Sequence, residues 1–293
     1  MTLKISTSST ADLNKALLEE RDIQYIPFIF TIDDKEYNDD LGQTIPPARF
    51  YEMIDKEGAM PTTSQINVQK YMATFTPWLK AGHDILYLEL SSGISGSAQA
   101  LMVAKGMLEE QFPDRKLYFH DSLCASAGLG LLTILAADMR DAGKSGAEID
   151  AWITENKLRV QHWFYTTDLT HFRRGGRVSA ASAVVGGLLN ICPLLHVDAE
   201  GKLIPVEKVR GKKNVMRTTL DKMRAHAQDG TAYTGKCFIS HSAREEEAKE
   251  LAARIEEQFP QMKEPVQIFD IGAVIGAHTG PGTVALFFLG DTR

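Results

Sequence analysis

Apolar and polar residues alternate in two different rhythms along the chain, and the rhythm changes near residue 160. Before that point, short apolar runs typical of buried strands alternate with helical periods, which predicts an α/β sheet with mostly parallel strands. The strands are expected at residues 3–7, 23–32, 85–90 and 116–120. The helices are expected at residues 10–21, 46–56, 65–80, 125–142 and 146–160, with one more after residue 97.

The second half of the chain is richer in strand patterns. Strands are expected at residues 163–168, 192–197, 203–209, 236–241, 267–273 and 283–289, with helices at 212–228 and 244–258. The turn at residues 198–201 joins two of these strands and is typical of a hairpin, so this sheet should be at least partly antiparallel. We therefore expect two different α/β domains, residues 1–158 and residues 159–293.

Composition fits this division. A length of 293 residues is usual for about two domains, and 44% hydrophobic with 24% charged residues is typical of a globular protein. The apolar stretch at 180–197 is too short for a membrane span, so we interpret it as buried core. The first residues lack the pattern of a signal peptide, and the expected localisation is cytoplasmic.

The charge and the cysteines exclude some classes of partner. The net charge of −6 gives no indication of a nucleic-acid partner. The three cysteines lie far apart without a C-x-x-C pair, and the eight histidines show no metal spacing. We therefore expect no disulfide framework and no metal site.

The segment Ser91 to Ser97 joins a predicted buried strand to a predicted helix. Free backbone N–H groups at such a helix start favour an anion, and Gly93 and Gly96 would let the backbone approach it closely. A serine-rich helix cap without any ligand explains the same residues equally well. A second hydroxyl-rich segment has the capping-box spacing at Thr62 and Gln65, which is also typical of a plain helix start. Two such helix starts could converge on one carboxylate.

Two further segments are candidates for binding. Arg173, Arg174 and Arg177 surround a pair of glycines, and guanidinium groups bind carboxylates, phosphates or acidic partner surfaces. A solvated basic turn is the alternative, as it is for the second basic stretch around Arg210. His278 lies in a segment rich in glycine and proline, predicted as a loop between two strands, where it could donate to an anion.

Familiar catalytic motifs are incomplete. Residues 143–145 (GKS) match the end of a Walker A motif, but position 138 is aspartate instead of glycine. Residues 93–97 fall one residue short of a nucleophile elbow, because Ser97 stands where the second glycine belongs.

Five segments taken together resemble the DegV family. They are residues 61–65 (PTTSQ), 91–97 (SSGISGS), 172–179 (FRRGGRVS), 209–211 (VRG) and 276–282 (GAHTGPG). The resemblance spans nearly the whole chain in the family's order. It implies an N-terminal Rossmann-like domain with a parallel sheet and a C-terminal α/β domain with a mixed sheet, a fold similar to the substrate-binding part of dihydroxyacetone kinases.

The resemblance also implies a function. Members bind a long-chain fatty acid between the two domains and present its carboxylate to a separate ATP-dependent fatty-acid kinase, whose acyl phosphate feeds phospholipid synthesis. The expected protein is thus a lipid-binding partner of a kinase, without catalytic residues, metal or cofactor of its own. We expect a monomer with no transmembrane segment. A transient contact of the protein with the membrane surface is left as an open alternative.

Carried over by position, the family's ligand-binding residues fall on six positions. These are Thr63, Ser64, Ser95, Gly96, Ser97 and His278, with Thr63 and Ser95 expected to hold the carboxylate. Ser97 stands where threonine is common in the family and keeps the hydroxyl. Arg173, Arg174, Arg177 and Arg210 are expected at the rim of the site or at the surface that docks the kinase. Candidates for the tunnel walls are Phe28, Ile94, Ile191, Phe269, Ile275 and Phe287.

The residues alone leave two other functions open. One is a small-molecule phosphotransferase or hydrolase that uses the loop from Ser91 to Ser97. The other is a regulatory module that binds a different carboxylate or phosphate ligand, with the arginine loop as its anion site.

Overall fold

The computed structural model describes residues 2–178 and 190–293. Its strands are β1 (Leu3–Ser8), β2 (Ile23–Ile26), β3 (Ile29–Ile32), β4 (Lys35–Asn38), β5 (Thr62–Ser64), β6 (Asp84–Glu89), β7 (Leu117–Asp121), β8 (Val160–Tyr165), β9 (Ile191–Val197), β10 (Leu203–Arg210), β11 (Cys237–His241), β12 (Gln267–Asp270) and β13 (Val284–Leu289). Its helices are α1 (Lys15–Glu20), α2 (Pro47–Glu57), α3 (Val68–Lys80), α4 (Ser97–Gln111), α5 (Ala127–Asp141), α6 (Gly146–Asn156), α7 (Thr170–Arg174), α8 (Lys212–His226), α9 (Glu245–Gln258) and α10 (Ala273–Thr279). Of the stretch at 180–197 that is predicted as buried core, residues 180–189 lie outside the described residues. Residues 191–197 of this stretch form β9.

The first sheet has four parallel strands in the order β2-β1-β6-β7. Central strand β6 is covered on both faces, and its residues from Ile85 to Leu88 are 0% exposed. This burial explains why these four residues form a continuous apolar run instead of alternating with polar residues. The prediction of a mostly parallel sheet in the first half is confirmed.

The second sheet has six strands in the order β10-β9-β8-β13-β11-β12. Strands β11 and β12 are parallel, whereas the other neighbours in this sheet are antiparallel. The predicted hairpin is confirmed: β9 and β10 pair antiparallel across the turn at residues 198–201, where Gly201 has φ 73°. The sheet is therefore mixed, as expected.

A small third sheet corrects one prediction. The run at 23–32 is not one buried strand: β2 joins the parallel sheet, whereas β3 pairs antiparallel with β4 and β5. Pro27 separates the two, and the amide of Phe28 donates to the Ser9 hydroxyl instead of to a neighbouring strand. Because proline has no N–H, the ladder stops there and the chain changes sheet.

Helix α5 forms the layer between the two large sheets, in contact with β1 on one side and with β8, β11 and β13 on the other. Small residues make this possible: a Cβ on Gly128 would lie 2.2 Å from Nε2 of His162. One apolar core therefore extends from Ile5 in the first sheet to Phe287 in the second. The division at residues 158 and 159 stays a prediction.

A buried carboxylate ties the two halves of the chain together. Asp12, which follows β1, accepts hydrogen bonds from the Ser126 hydroxyl at 2.5 Å and from the amide of Gly272 at 2.9 Å. Burial raises the pKa of Asp12 well above its usual value, and these two donors oppose the shift. The contact with Gly272 fixes the start of α10 against the first sheet. Among the described residues, no helix has the length and apolar character needed to cross a bilayer.

Candidate functional site

A cavity of about 330 Å³ lies where the carboxyl edge of the parallel sheet faces the second sheet. The first sheet contributes residues that follow β6 and β7, at the edge where ligands usually bind in open α/β sheets. The second sheet contributes one face of β8, β9, β10 and β13. The apolar walls are formed by Phe28, Leu90, Ile94, Phe164, Phe172, Val197, Leu203, Ile271, Val274, Ile275 and Phe287. Of the predicted wall residues, Ile191 and Phe269 are not among those lining the cavity.

Thr63 reaches one end of this cavity from strand β5. Its hydroxyl lies 2.8 Å from Nε2 of His278. Thr62 and Ser64 are exposed on the other side of the strand, because successive side chains of a strand alternate in direction. Ser64 therefore does not line the cavity, although it was among the predicted ligand-binding residues.

The predicted capping box at Thr62 and Gln65 is wrong. Thr62 belongs to an extended strand paired with β3, and α3 begins only at Val68, with the Asn67 side chain accepting from the amide of Lys70. The hydroxyl-rich segment therefore approaches the cavity as a strand, not as a helix start. Gln65 also lines the cavity, which its interpretation as a cap had missed.

The loop before α4 behaves as predicted for a helix start. Ser95 accepts a hydrogen bond from the amide of Ser97 at 3.2 Å and donates to the Ser97 hydroxyl at 3.1 Å. Ser95 and Gly96 line the cavity, whereas Ser97 is fully buried behind it and accepts from the amide of Ile66. A Cβ on Gly96 would lie 2.2 Å from Oε1 of Gln65, so glycine allows this close approach.

His278 lies in the last turn of α10, not in a loop as the glycine-rich pattern had suggested. Burial, together with the nearby positive charges of Arg177 and Arg174, lowers the pKa of His278 to about 4. The ring is therefore neutral at pH 7, with Nε2 beside Thr63 and Nδ1 buried without a partner among the described residues. A Cβ on Gly175 would lie 2.4 Å from Nδ1, so the absence of a side chain at Gly175 gives this ring its space.

The four predicted arginines occupy different positions. Arg177 lines the cavity and also an outer groove, and its Nε donates to the carbonyl of Ile94 at 3.2 Å. Arg173 and Arg174 are exposed on α7, and Arg174 donates to the carbonyl of Pro61 at 3.4 Å. Arg210 ends β10, at the end opposite Leu203, roughly 20 Å along the strand from the cavity.

Arg177 is the cation closest to the head of the cavity. Burial lowers its pKa, and no carboxylate among the described residues opposes that shift. Its guanidinium instead donates to two carbonyls, those of Ile94 and Gly175. A half-buried cation without a carboxylate partner leaves room for an anion from outside the chain.

Sequence reasoning missed His162, which lines the deeper part of the cavity from β8. Its Nδ1 donates to the carbonyl of Val160 at 2.8 Å, and its Nε2 accepts from the amide of Ala125 at 3.2 Å. Burial lowers its pKa well below the usual value, so the ring is neutral. With both nitrogens satisfied, His162 acts as a flat wall beside Phe287, at 5.3 Å between ring centroids. Nothing in the strand pattern distinguished it from an ordinary polar position.

The site is thus a largely apolar cavity lined also by hydroxyls, two neutral imidazoles and one guanidinium, and Thr63, His278 and Arg177 lie close to one another in it. This arrangement suits a molecule with a long apolar part and a small polar or anionic head. Among the described residues, no group of three or more histidine, cysteine, aspartate or glutamate side chains could hold a metal ion.

Comparisons with known proteins agree with this geometry. Residues 2–291 match the family model described as "Uncharacterised protein, DegV family". A DegV domain-containing protein of Clostridium perfringens is 39% identical over 289 residues, covering 99% of this chain and 98% of its own length.

Two solved structures have the same fold. The fatty-acid-binding protein DegV of Bacillus subtilis superposes with a TM-score of 0.83 at 28% identity, over 99% of this chain and all of its own. The B3 protein of the Streptococcus pneumoniae fatty acid kinase, loaded with linoleic acid, superposes with a TM-score of 0.84 over 99% of this chain and all of its own, and at 22% identity this likeness concerns the fold. From the family model and the relative in C. perfringens, this chain belongs to the DegV family.

Proposed function

We propose that this protein binds a long-chain fatty acid in the cavity between its two sheets, with the carboxylate at Thr63 and Ser95. The observation that carries the proposal is the cavity itself, because its walls are largely apolar and three of its polar residues, Thr63, His278 and Arg177, lie together. The B. subtilis relative of the same fold is described as a fatty-acid-binding protein, which supports the same ligand. The division into residues 1–158 and 159–293 would place this ligand between two domains.

Burial of the acyl tail would provide most of the affinity. Each buried CH₂ contributes ~0.8 kcal/mol, so a C16 chain gains roughly 10 kcal/mol before ordering costs. The cavity volume of about 330 Å³ falls in the range of ligand pockets, ~300–1,000 Å³. The head group would mainly determine the orientation of the ligand.

The head-group residues are mostly neutral. Hydroxyls of Thr63 and Ser95 and the N–H of a neutral His278 can donate to a carboxylate without an ion pair of fixed geometry. Arg177 sits at the boundary with the outer groove and can stabilise the charge from one side. A carboxylate held in this way stays available to react with an incoming phosphoryl group.

The proposal extends to a partner. An ATP-dependent fatty-acid kinase would supply the chemistry, and this chain would present the substrate without turnover of its own. Arg173 and Arg174 are exposed on α7 beside the cavity and are the residues we assign to docking that kinase. Arg210 lies at the other end of β10 and is no longer a candidate for the rim. The protein would act in the cytoplasm as a monomer.

The ligand can be tested without knowing its chain length. The purified protein is denatured and extracted with organic solvent. Mass spectrometry identifies and quantifies the compounds in the extract, and their amount is compared with the amount of protein. We expect one long-chain fatty acid per chain. An extract that is repeatedly empty, or that contains only polar compounds, would overturn the proposed ligand.

A further inference from the structure

Glu89 is a carboxylate buried directly behind the head-group loop. It is the last residue of β6 and is 0% exposed. Its Oε2 accepts from the hydroxyls of Tyr71 and Tyr87, the latter at 2.7 Å, and its Oε1 accepts from the amide of Leu90 at 2.7 Å. A charged group in the interior needs such a set of donors, and the cavity residues described so far do not explain its presence.

Tyr71 connects this carboxylate to the head-group loop. Its hydroxyl lies 3.3 Å from the carbonyl oxygen of Ser97, the first residue of α4. The Ser97 hydroxyl in turn accepts from Ser95 at 3.1 Å. The Tyr71 ring is fixed by stacking on Phe75, with 6.0 Å between centroids. Three successive contacts therefore link Glu89 to Ser95, the residue proposed to hold the ligand carboxylate.

We propose that Glu89 is a positioning residue for the fatty-acid head group, acting through Tyr71 on the first turn of α4. The inference rests on the proposed fatty-acid-binding function and adds a residue that touches no ligand. Holding Tyr71 fixes the carbonyl of Ser97 and so the first turn of α4, and with it the position of the Ser95 oxygen, which accepts from the amide of Ser97. Binding sites need such support because a small misplacement of a donor weakens its hydrogen bond.

The charge of Glu89 gives this role a measurable signature. Burial raises its pKa to about 7, opposed by the donors Tyr71, Tyr87, Leu90 and Ser8. Ionised Glu89 would add a buried negative charge behind the loop that is proposed to hold the ligand carboxylate, so ligand affinity should fall as the pH rises through about 7.

Among the described residues, the groups that face Glu89 include no cation that pairs with its charge. Tyr71 on α3, Tyr87 on β6 and Ser8 on β1 face it as uncharged donors. Its register partner on β7 is Asp121, whose Oδ1 is occupied by the amide of Ser92. On the ligand side, Arg177 and Arg174 are cations and His278 is neutral near pH 7.

Tyr71→Phe and Tyr87→Phe form a matched pair for the test. Each removes one hydroxyl that donates to Oε2 of Glu89, but only Tyr71 also contacts the carbonyl of Ser97. Palmitate is titrated into the delipidated full-length proteins at pH 6, 7 and 8, with thermal unfolding measured in parallel. We expect Tyr71→Phe to weaken palmitate binding about fivefold, which corresponds to the loss of one hydrogen bond. Tyr87→Phe should weaken palmitate binding by less than about twofold.

Glu89→Gln provides the pH readout. The wild-type protein should lose affinity between pH 6 and 8, by up to about tenfold, whereas Glu89→Gln should lose less. Comparing the two proteins cancels the ionisation of palmitate itself. Equal losses in the two tyrosine variants, or an unchanged pH profile in Glu89→Gln, would overturn this inference alone. A wild-type protein that never binds palmitate would overturn the proposed function and this inference together.

Discussion

The hydroxyl of Thr63 lies 2.8 Å from Nε2 of His278, which joins strand β5 to helix α10 across 215 positions of the chain. Neither residue has another side-chain partner at these atoms among the described residues. The contact brings the TSQ segment and the GAHTGPG segment to one end of the cavity. It therefore places a hydroxyl and a neutral imidazole where a carboxylate could displace or join their hydrogen bond.

The first prediction concerns the two hydroxyls assigned to the carboxylate. Thr63→Ala with Ser95→Ala should lower fatty-acid affinity about 10- to 30-fold, because each change removes one hydrogen bond of roughly 1 kcal/mol. The measurement is palmitate binding to delipidated protein. Thr62→Ala with Ser64→Ala is the matched control, since both residues are exposed on the opposite side of β5. Equal affinity in the two double variants would show that the head group lies elsewhere.

The second prediction concerns the pH dependence of stability. Because the folded protein lowers the pKa of His278 to about 4, the unfolded chain binds a proton more readily below pH ~6.5. His278 therefore destabilises the fold as the pH falls from about 6.5 towards 4. Other buried histidines such as His162 add to this loss.

Replacing His278 by glutamine should reduce that acid sensitivity. We expect the difference in Tm between pH 7 and pH 5 to be smaller in His278→Gln than in the wild-type protein, both measured without lipid. His83→Gln is a control, because His83 lies outside the site and bonds the Thr2 hydroxyl near the surface. An identical difference in Tm for His278→Gln and the wild-type protein would contradict a buried, neutral His278.

The broad architecture could be predicted from the sequence, because the burial of a strand or helix determines the spacing of its apolar residues. Residues Ile85 to Leu88 of β6 form a continuous apolar run, and the turn before Leu203 has hairpin residues, so a parallel sheet followed by a mixed sheet could be predicted. The break between β2 and β3 at Pro27 was harder to predict, because the residues on both sides of Pro27 are apolar. The two strands differ only in the sheet to which they belong.

Some residues of the cavity could be chosen from the sequence, but their local structure could not, and their role in binding stays a prediction. Thr63, Ser95 and His278 were identified by motif, and the structure brings all three to one cavity. Periodicity could not tell that 62–64 is a strand, because three residues are too short for a period. Glu89 was missed because a single carboxylate at a strand end resembles an ordinary exposed position, and its partners come from α3 and β1.

The third prediction tests the packing of α5 between the sheets. Gly128→Ala should destabilise the protein by about 1–3 kcal/mol, because its Cβ would lie 2.2 Å from Nε2 of His162 and push that ring into the cavity. Gly106→Ala in α4 is the control, since no heavy atom lies within 4 Å of its Cβ. It should stabilise the protein by about 0.5–1 kcal/mol through helix propensity. Urea unfolding measures both, and a neutral Gly128→Ala would mean that α5 has room to move.

The fourth prediction separates the arginines by position. Arg173→Glu with Arg174→Glu should reduce acyl-phosphate formation by a cognate kinase more than it reduces palmitate binding, because both side chains are exposed and do not line the cavity. Arg177→Ala should reduce palmitate binding itself, since Arg177 lines the cavity and ties the loop at Ile94 to the glycine pair. The two readouts are kinase-coupled product formation and direct titration of palmitate.

Arg210→Glu is the control for surface charge, because it changes the net charge in the same direction at the far end of β10. A loss of product formation in Arg210→Glu equal to that in the Arg173 and Arg174 variant would mean that general charge attraction guides the kinase. If the kinase docks specifically on α7, product formation should fall in the Arg173 and Arg174 variant but not in Arg210→Glu. The loss should also persist at high salt, because salt screens direct contacts less than long-range attraction.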